Sequence, residues 1–177
     1  MAPFAIRKIG DPVLNQRARE ISNIDGKIAR LADDMLVTMY EEPGSGLAAN
    51  QVGVAKRLFV YDIGHGPGVV VNPSIIESDG EWVYEEGCLS IPGLAFELAR
   101  PNHVHLVGWD LDGNEVSIEA SELEGRAFQH ELDHLDGVLY IDRLDDDQRK
   151  AAKKALREMN LRAAVEPVRP RSGLMLP

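Results

Sequence analysis

The stretch SELEGRAFQHELDHLDG, residues 121–137, decides how this 177-residue chain is to be read. Ser121 and Glu124 have the spacing of a capping box, in which each side chain satisfies the other residue's backbone N–H, so a helix is expected to begin there. Leu123, Ala127, His130 and His134 share one face of that helix, and Gly137 stands where a left-handed C-terminal cap is wanted. His130 and His134 lie one turn apart, about 6 Å between Cβ atoms, so both rings can reach one ion. Glu131 projects roughly 100° round the helix from His130, placed to take a proton from a water on that ion without being a ligand. Two imidazoles on an apolar face are costly to bury without partners, and a metal supplies one.

A hydrolytic ion of this kind takes three protein ligands and leaves a position open. Five residues compete for the third place. His65 lies in the glycine-rich loop 64–68 and reads as a solvated turn residue. His103 and His105 alternate with Val104 and Leu106, the pattern of a strand's wet face. Glu158 has suitable spacing for a zinc-peptidase ligand, but it flanks Lys154 and Arg157 opposite the apolar side chains Ala152, Ala155, Leu156 and Met159. Cys88, the single cysteine, sits in Glu85-Glu86-Gly87-Cys88-Leu89-Ser90-Ile91-Pro92, with a glycine for close backbone approach and a proline expected to free the following chain from the sheet. A thiolate there suits Fe(II), Zn, Ni or Co; a small buried hydrophobe is the alternative.

Working outward, Asp11-Pro12 predicts a helix through about Glu20. Ile28, Leu31, Ala32, Met35, Leu36 and Met39 recur at helical spacing until Pro43-Gly44 stops them. Between Arg57 and Ala120, short apolar or alternating runs at 58–61, 69–71, 104–111 and 116–118 predict mostly antiparallel strands, with a tight hairpin at Asp112-Gly113-Asn114. A last helix is expected from Asp146 to Arg162. The fold class is therefore α+β: short, mostly antiparallel strands around a central metal-binding helix, with N-terminal helices and a C-terminal helix. Residues 1–164 form one catalytic domain in this reading, and the Pro-rich 165–177 a mobile tail. The segment 44–51 superficially fits a dinucleotide fingerprint, but it ends a helix where that motif must open one. Its small residues let a substrate approach, and Gln51 can donate a hydrogen bond to a developing oxyanion.

Composition narrows the class. A lone cysteine excludes an intramolecular disulfide. No apolar run approaches the ~20 residues that span a bilayer, and Met1 to Gly10 lacks the apolar stretch of a secretory signal, so a cytoplasmic protein with no membrane partner is expected. The formal charge of −10 argues against general nucleic-acid binding. That charge is uneven: eight of the 19 basic but only two of the 29 acidic residues fall from Arg149 onward, a net +6 against −16 for the rest.

Three segments together resemble the peptide deformylase family. Gly44 to Gln51 is similar to its glycine-leucine-alanine-alanine motif, Glu86 to Ser90 to its cysteine motif, and Gln129 to Gly137 to its histidine motif, in family order; 11–14 and 136–143 also match. The resemblance implies Cys88, His130 and His134 as metal ligands, with Fe(II) the usual ion, and removal of the formyl group from the N-terminal formylmethionine of new polypeptides. It implies that Glu131 takes the proton of the attacking water and delivers it to the leaving amine. It further implies that Gln51 and the backbone N–H of Leu89 stabilise the oxyanion and that Gly46 leaves room for the substrate backbone. Ser45, Tyr84, Glu86 through its stem, Leu123, Ala127 and the ring of His130 are expected to contact substrate, the last five lining a methionine pocket. Ser45 stands where many members carry an aliphatic residue, and Glu124-Gly125 replace apolar ones. The competing functions are a zinc endopeptidase completed by Glu158 and an inactive relative that binds peptides or ribosomes. The basic C-terminal helix reads either as a solvated face attracted to an acidic body or as a contact to ribosomal RNA phosphates, and formylated nascent chains are the expected partner of the pocket.

Overall fold

The computed structural model describes residues 4–165. Of the expected tail, Val165 ends the last helix and 166–177 lie outside the described residues. Helix α1 (Gly26–Glu41) starts at Asp25, whose carboxylate accepts from the N–H groups of Lys27 and Ile28. Its stripe of Ile28, Ala32, Met35 and Met39 is buried, with Leu31 and Leu36 at the margin.

Among the described residues seven strands follow the helical stripe. β1 (Gly46–Ala48), β2 (Leu58–Tyr61), β3 (Gly68–Asp79), β6 (His103–Trp109) and β7 (Glu115–Ser121) form an antiparallel sheet in the order β1-β2-β3-β6-β7. β4 (Trp82–Cys88) and β5 (Ile91–Arg100) pair as a separate two-stranded ribbon. Helix α2 (Glu122–Leu135) packs across the larger sheet, where Phe128 meets Phe59 and, edge-on at 4.9 Å between ring centroids, Tyr61. Helix α3 (Asp146–Val165) lies on β5 through Ala152 and Leu156. The α+β class and the central position of α2 agree with the sequence.

Several local expectations need correction. The first helix shrinks to a 3-10 turn, Pro12–Asn15, because the chain then turns extended at Gln16 and runs past α2, Ala18 donating to Leu135 O. The capping box does not form: Ser121 makes no side-chain cap, and Asn102 instead accepts from the Glu122 N–H through both its backbone and side-chain oxygens. That close approach explains Gly125, where a Cβ would stand 3.1 Å from Ala120 O and 3.3 Å from Asn102 O. Pro92 does not free the chain from the sheet. It sits second in β5, beside the irregularity between Gly87 and Cys88, where no ladder hydrogen bond is required of it. The β6–β7 hairpin is tight as expected: Gly113 N–H donates to Asp110 O at 3.2 Å, and the Asp110 carboxylate gathers the N–H groups of Asp112 and Asn114.

Candidate metal centre and active site

The last turn of α2 is fixed from three sides. Val138 N–H reaches Asp133 O at 2.8 Å and Gly137 N–H reaches His134 O at 3.0 Å, the paired bonds of a Schellman end. Gly137 has φ +77°, and a Cβ there would stand 2.8 Å from the Asn15 backbone, so the expected glycine cap is required twice over. The Asn50 amide donates to His134 O, and Arg57 holds Asp136 at 2.7 Å. The turn that carries His134 is therefore rigid.

On this support the three expected ligands converge. Cys88 Sγ lies 3.2 Å from His134 Nε2, which lies 3.2 Å from His130 Nε2. Among the described residues this is the one group of His, Cys, Asp and Glu side chains whose ligand atoms gather, all within 4.8 Å of one another. One thiol and two imidazoles are a donor set that fits a divalent transition metal. His130 is oriented for the task, since its Nδ1 meets Glu86 Oε1 at 2.6 Å and its Nε2 is left facing the sulfur. Burial disfavours a charged His130, but Cys88 and Glu86 more than offset this and hold it well above the ordinary histidine value. Burial and the neighbouring His130 push His134 well below it.

Glu86 is where the sequence reading fell short. It does line the cavity, but its carboxylate is buried among cations rather than presented through its stem. Oε1 accepts from Arg100 Nη2 at 2.7 Å as well as from His130, and Oε2 accepts from Arg100 Nε and Arg126 Nη1, each at 2.8 Å. Burial raises its pKa, yet the bonds from Arg100 and His130 outweigh that and hold it well below the usual carboxylate range. Arg100 continues to Asp133 at 2.9 Å, which Arg143 grips with two bonds of 2.6 Å. Each member of this chain looks in sequence like a solvated charge. The legible signal was Arg126 and Asp133 falling within the helix that carries the histidines.

Glu131 is 4% exposed, and its Oε2 has no hydrogen-bond partner. Burial is the chief reason its pKa rises to about 7. A Cβ on Gly46 would collide with this carboxylate and stand 2.9 Å from Glu131 Cγ and Cδ, so the closest constraint on Gly46 is the glutamate. Gln51 is fixed as well: its Oε1 accepts from Ala48 N–H at 2.9 Å, which turns Nε2 toward Ser90 Oγ at 3.1 Å and Cys88 Sγ at 3.8 Å. Leu89 follows Cys88 in the β4–β5 turn, its carbonyl held by Lys8 Nζ at 2.8 Å.

These groups surround one cavity of about 680 Å³. Its lining includes Ser45, Gly46, Gln51, Tyr84, Glu86, Cys88, Leu89, Leu123, Ala127, His130 and Glu131, and also Lys8, Ile91 and Arg126, which sequence reading did not single out. The competing ligands stay apart: His65, His103 and Glu158 are exposed, and His105 bonds Ser117 Oγ at 2.7 Å.

A family model described as polypeptide deformylase matches residues 3–150. The peptide deformylase of Agathobacter rectalis is 53% identical over 145 residues, covering 82% of this chain and 92% of that protein. That of Clostridium botulinum is 52% identical over 143 residues, covering 81% and 97%. Among solved structures, the peptide deformylase of Thermus thermophilus superposes with a TM-score of 0.85 at 42% identity, covering 90% of this chain and 96% of that one. The Synechococcus elongatus peptide deformylase in complex with actinonin gives 0.86 at 38%, covering 95% and 94%. Both the sequence matches and the superpositions run through the cysteine strand and the histidine helix to nearly the full length of the relatives, and the chain belongs to the polypeptide deformylase family.

Proposed function

We propose that this hydrolase removes the formyl group from the N-terminal formylmethionine of newly synthesised polypeptides and releases formate, with residues 1–164 acting as one catalytic domain. The observation that carries the reading is a buried carboxylate with a free oxygen, Glu131, beside three convergent metal ligands at the head of an open cavity, in a chain of this family. Cys88, His130 and His134 would hold a divalent ion, which when bound would supply Lewis acidity toward water and a carbonyl. Fe(II) is the proposed physiological ion, and Zn, Ni and Co suit the same donors.

The protein's own groups do the rest. Glu131, with a pKa near 7, takes a proton from the attacking water and returns it to the leaving amine. Gln51 Nε2 and the Leu89 N–H donate to the oxygen on which charge develops, a contribution of about 3 kcal/mol per donor. Tyr84, Leu123, Ala127 and the His130 ring take the methionine side chain, and Ser45 and Gly46 border the path of the following backbone.

Formate release from a formyl-methionyl tripeptide, assayed anaerobically with Fe(II) or Ni(II) supplied, tests the proposal. Cleavage of an internal peptide bond without formate would replace it by the endopeptidase reading.

The exposed Lys150, Lys153, Lys154 and Arg157 of α3 favour a second element, contact with ribosomal RNA phosphates that holds the enzyme near emerging chains. Changing the three lysines to glutamate should weaken co-sedimentation with ribosomes at low salt. Binding insensitive both to these changes and to salt would refute it.

A further inference from the structure

Residues 6–9 pass between the two stretches that carry the proposed oxyanion donors without joining either sheet. Arg7 N–H donates to Gln51 O at 2.7 Å and Ile9 N–H to Ser90 O at 2.9 Å. Ile6 and Leu89 pack against the apolar cluster that includes Val52, and Ile9 and Cys88 against that of Ile91 and Tyr140. Lys8 stands between these anchors. It lines the cavity, and its ammonium donates to Leu89 O at 2.8 Å. Leu89 and Ser90 make the turn between the paired residues Cys88 and Ile91, and among the described residues no backbone N–H reaches the Leu89 carbonyl. The peptide that joins Cys88 to Leu89, whose N–H is the proposed donor, therefore lies between two fixed points: the thiol at the metal site and the carbonyl under Lys8.

We infer that Lys8 is a positioning residue for the oxyanion site, holding the Leu89 turn so that its N–H stands ready where charge develops on the formyl oxygen. The inference rests on the proposed deformylase reading for the reaction it serves. Preorganised donors act because they need not reorient as the charge appears, so a turn free to rock loses part of that advantage without losing the donor. A cationic donor holds a carbonyl more tightly than a neutral one. Lys8 is exposed, so shortening its polar reach leaves the apolar clusters intact. Loss of the hold therefore appears in turnover rather than in folding or metal binding. Removing a direct oxyanion donor lowers kcat by about 100-fold or more, and loosening one by removing its support should lower it by about tenfold.

The test compares wild type, Lys8→Met and Lys8→Arg as full chains loaded with Ni(II) to equal stoichiometry, with formyl-Met-Ala-Ser as substrate. Lys8→Met is expected to lower kcat by about tenfold with KM within about twofold of wild type. Lys8→Arg, which returns a cationic donor, should recover most of the loss. Hydrogen–deuterium exchange read by mass spectrometry measures the hold without turnover: exchange in the peptide spanning Cys88 to Ile91 should rise about tenfold in Lys8→Met, with no change in α2. Wild-type kcat in Lys8→Met, whether or not KM rises, overturns the inference, as does unchanged exchange in the turn. A kcat that Lys8→Arg leaves low, or a loss of activity that follows loss of metal, overturns it too. Absence of formate release by the wild type would remove the deformylase reading; faster exchange in Lys8→Met would then still assign the turn's pose to Lys8, and unchanged exchange would remove that as well.

Discussion

Replacing Gly46 by alanine adds one methyl group, and the structure says where it goes. The new Cβ would stand 2.9 Å from both Cγ and Cδ of Glu131, where carbon atoms rest at about 3.5–4.0 Å. Relief needs a shift of about 1 Å, shared between β1 and the glutamate. β1 is tied to β2 along Gly46–Ala48, and Ala48 N–H is held by Gln51, so the glutamate side chain yields first. Overpacking should cost about 1–3 kcal/mol of stability. A displacement of this size at a proton-transferring group should lower kcat about 100-fold. The assay is formate release with metal content measured on the same preparation. The three atoms nearest the methyl group all belong to Glu131 rather than to a ligand, so the metal should remain at its wild-type level. Wild-type kcat in Gly46→Ala, or a loss of metal equal to the loss of activity, would refute the reasoning.

Cys88→Ser should lose most of its metal to a mild chelator that leaves the wild type loaded; full retention would reopen the endopeptidase reading, with a ligand elsewhere. Glu86→Gln removes a buried anion from Arg100, Arg126 and His130 and should cost about 3–5 kcal/mol at pH 7, read by denaturant unfolding. Because the Glu86 pKa is depressed in the fold, its contribution is fully present above its ordinary value of 4.5 and fades as pH falls below it. The gap in stability between wild type and Glu86→Gln should therefore narrow toward pH 3, and a constant gap would contradict the assignment. Ala127→Phe should raise KM for methionyl substrates more than for those with a smaller first residue, and an equal rise would place the pocket elsewhere.

How far the sequence carried this reading depended on whether a residue's role followed from local pattern. The stripe of α1, the run Leu58–Tyr61, the glycine end of α2 and the convergence of His130 and His134 are local, and each was legible. The strands β4 and β5 were not, because Glu85, Glu86 and Gly87 break any alternation and Pro92 argues against a ladder. They pair as an isolated ribbon whose inward charge is neutralised from α2 and β5. Glu86 is thus a buried positioning group for His130 that propensity places at the surface. The capping box failed for a related reason: Ser121 makes no side-chain cap, and the N–H satisfied at this helix start is that of Glu122, by Asn102, 20 residues before it in sequence.

The most direct test of the central claim, that Glu131 moves the proton while Cys88, His130 and His134 hold the ion, compares Glu131→Ala with wild type in single-turnover formate release after both are loaded with Ni(II) to equal stoichiometry. The account predicts one equivalent of metal in each protein and a rate lower in the variant by roughly 10²- to 10⁴-fold. A variant that cannot hold the metal, or one that holds it and releases formate at the wild-type rate, would contradict it.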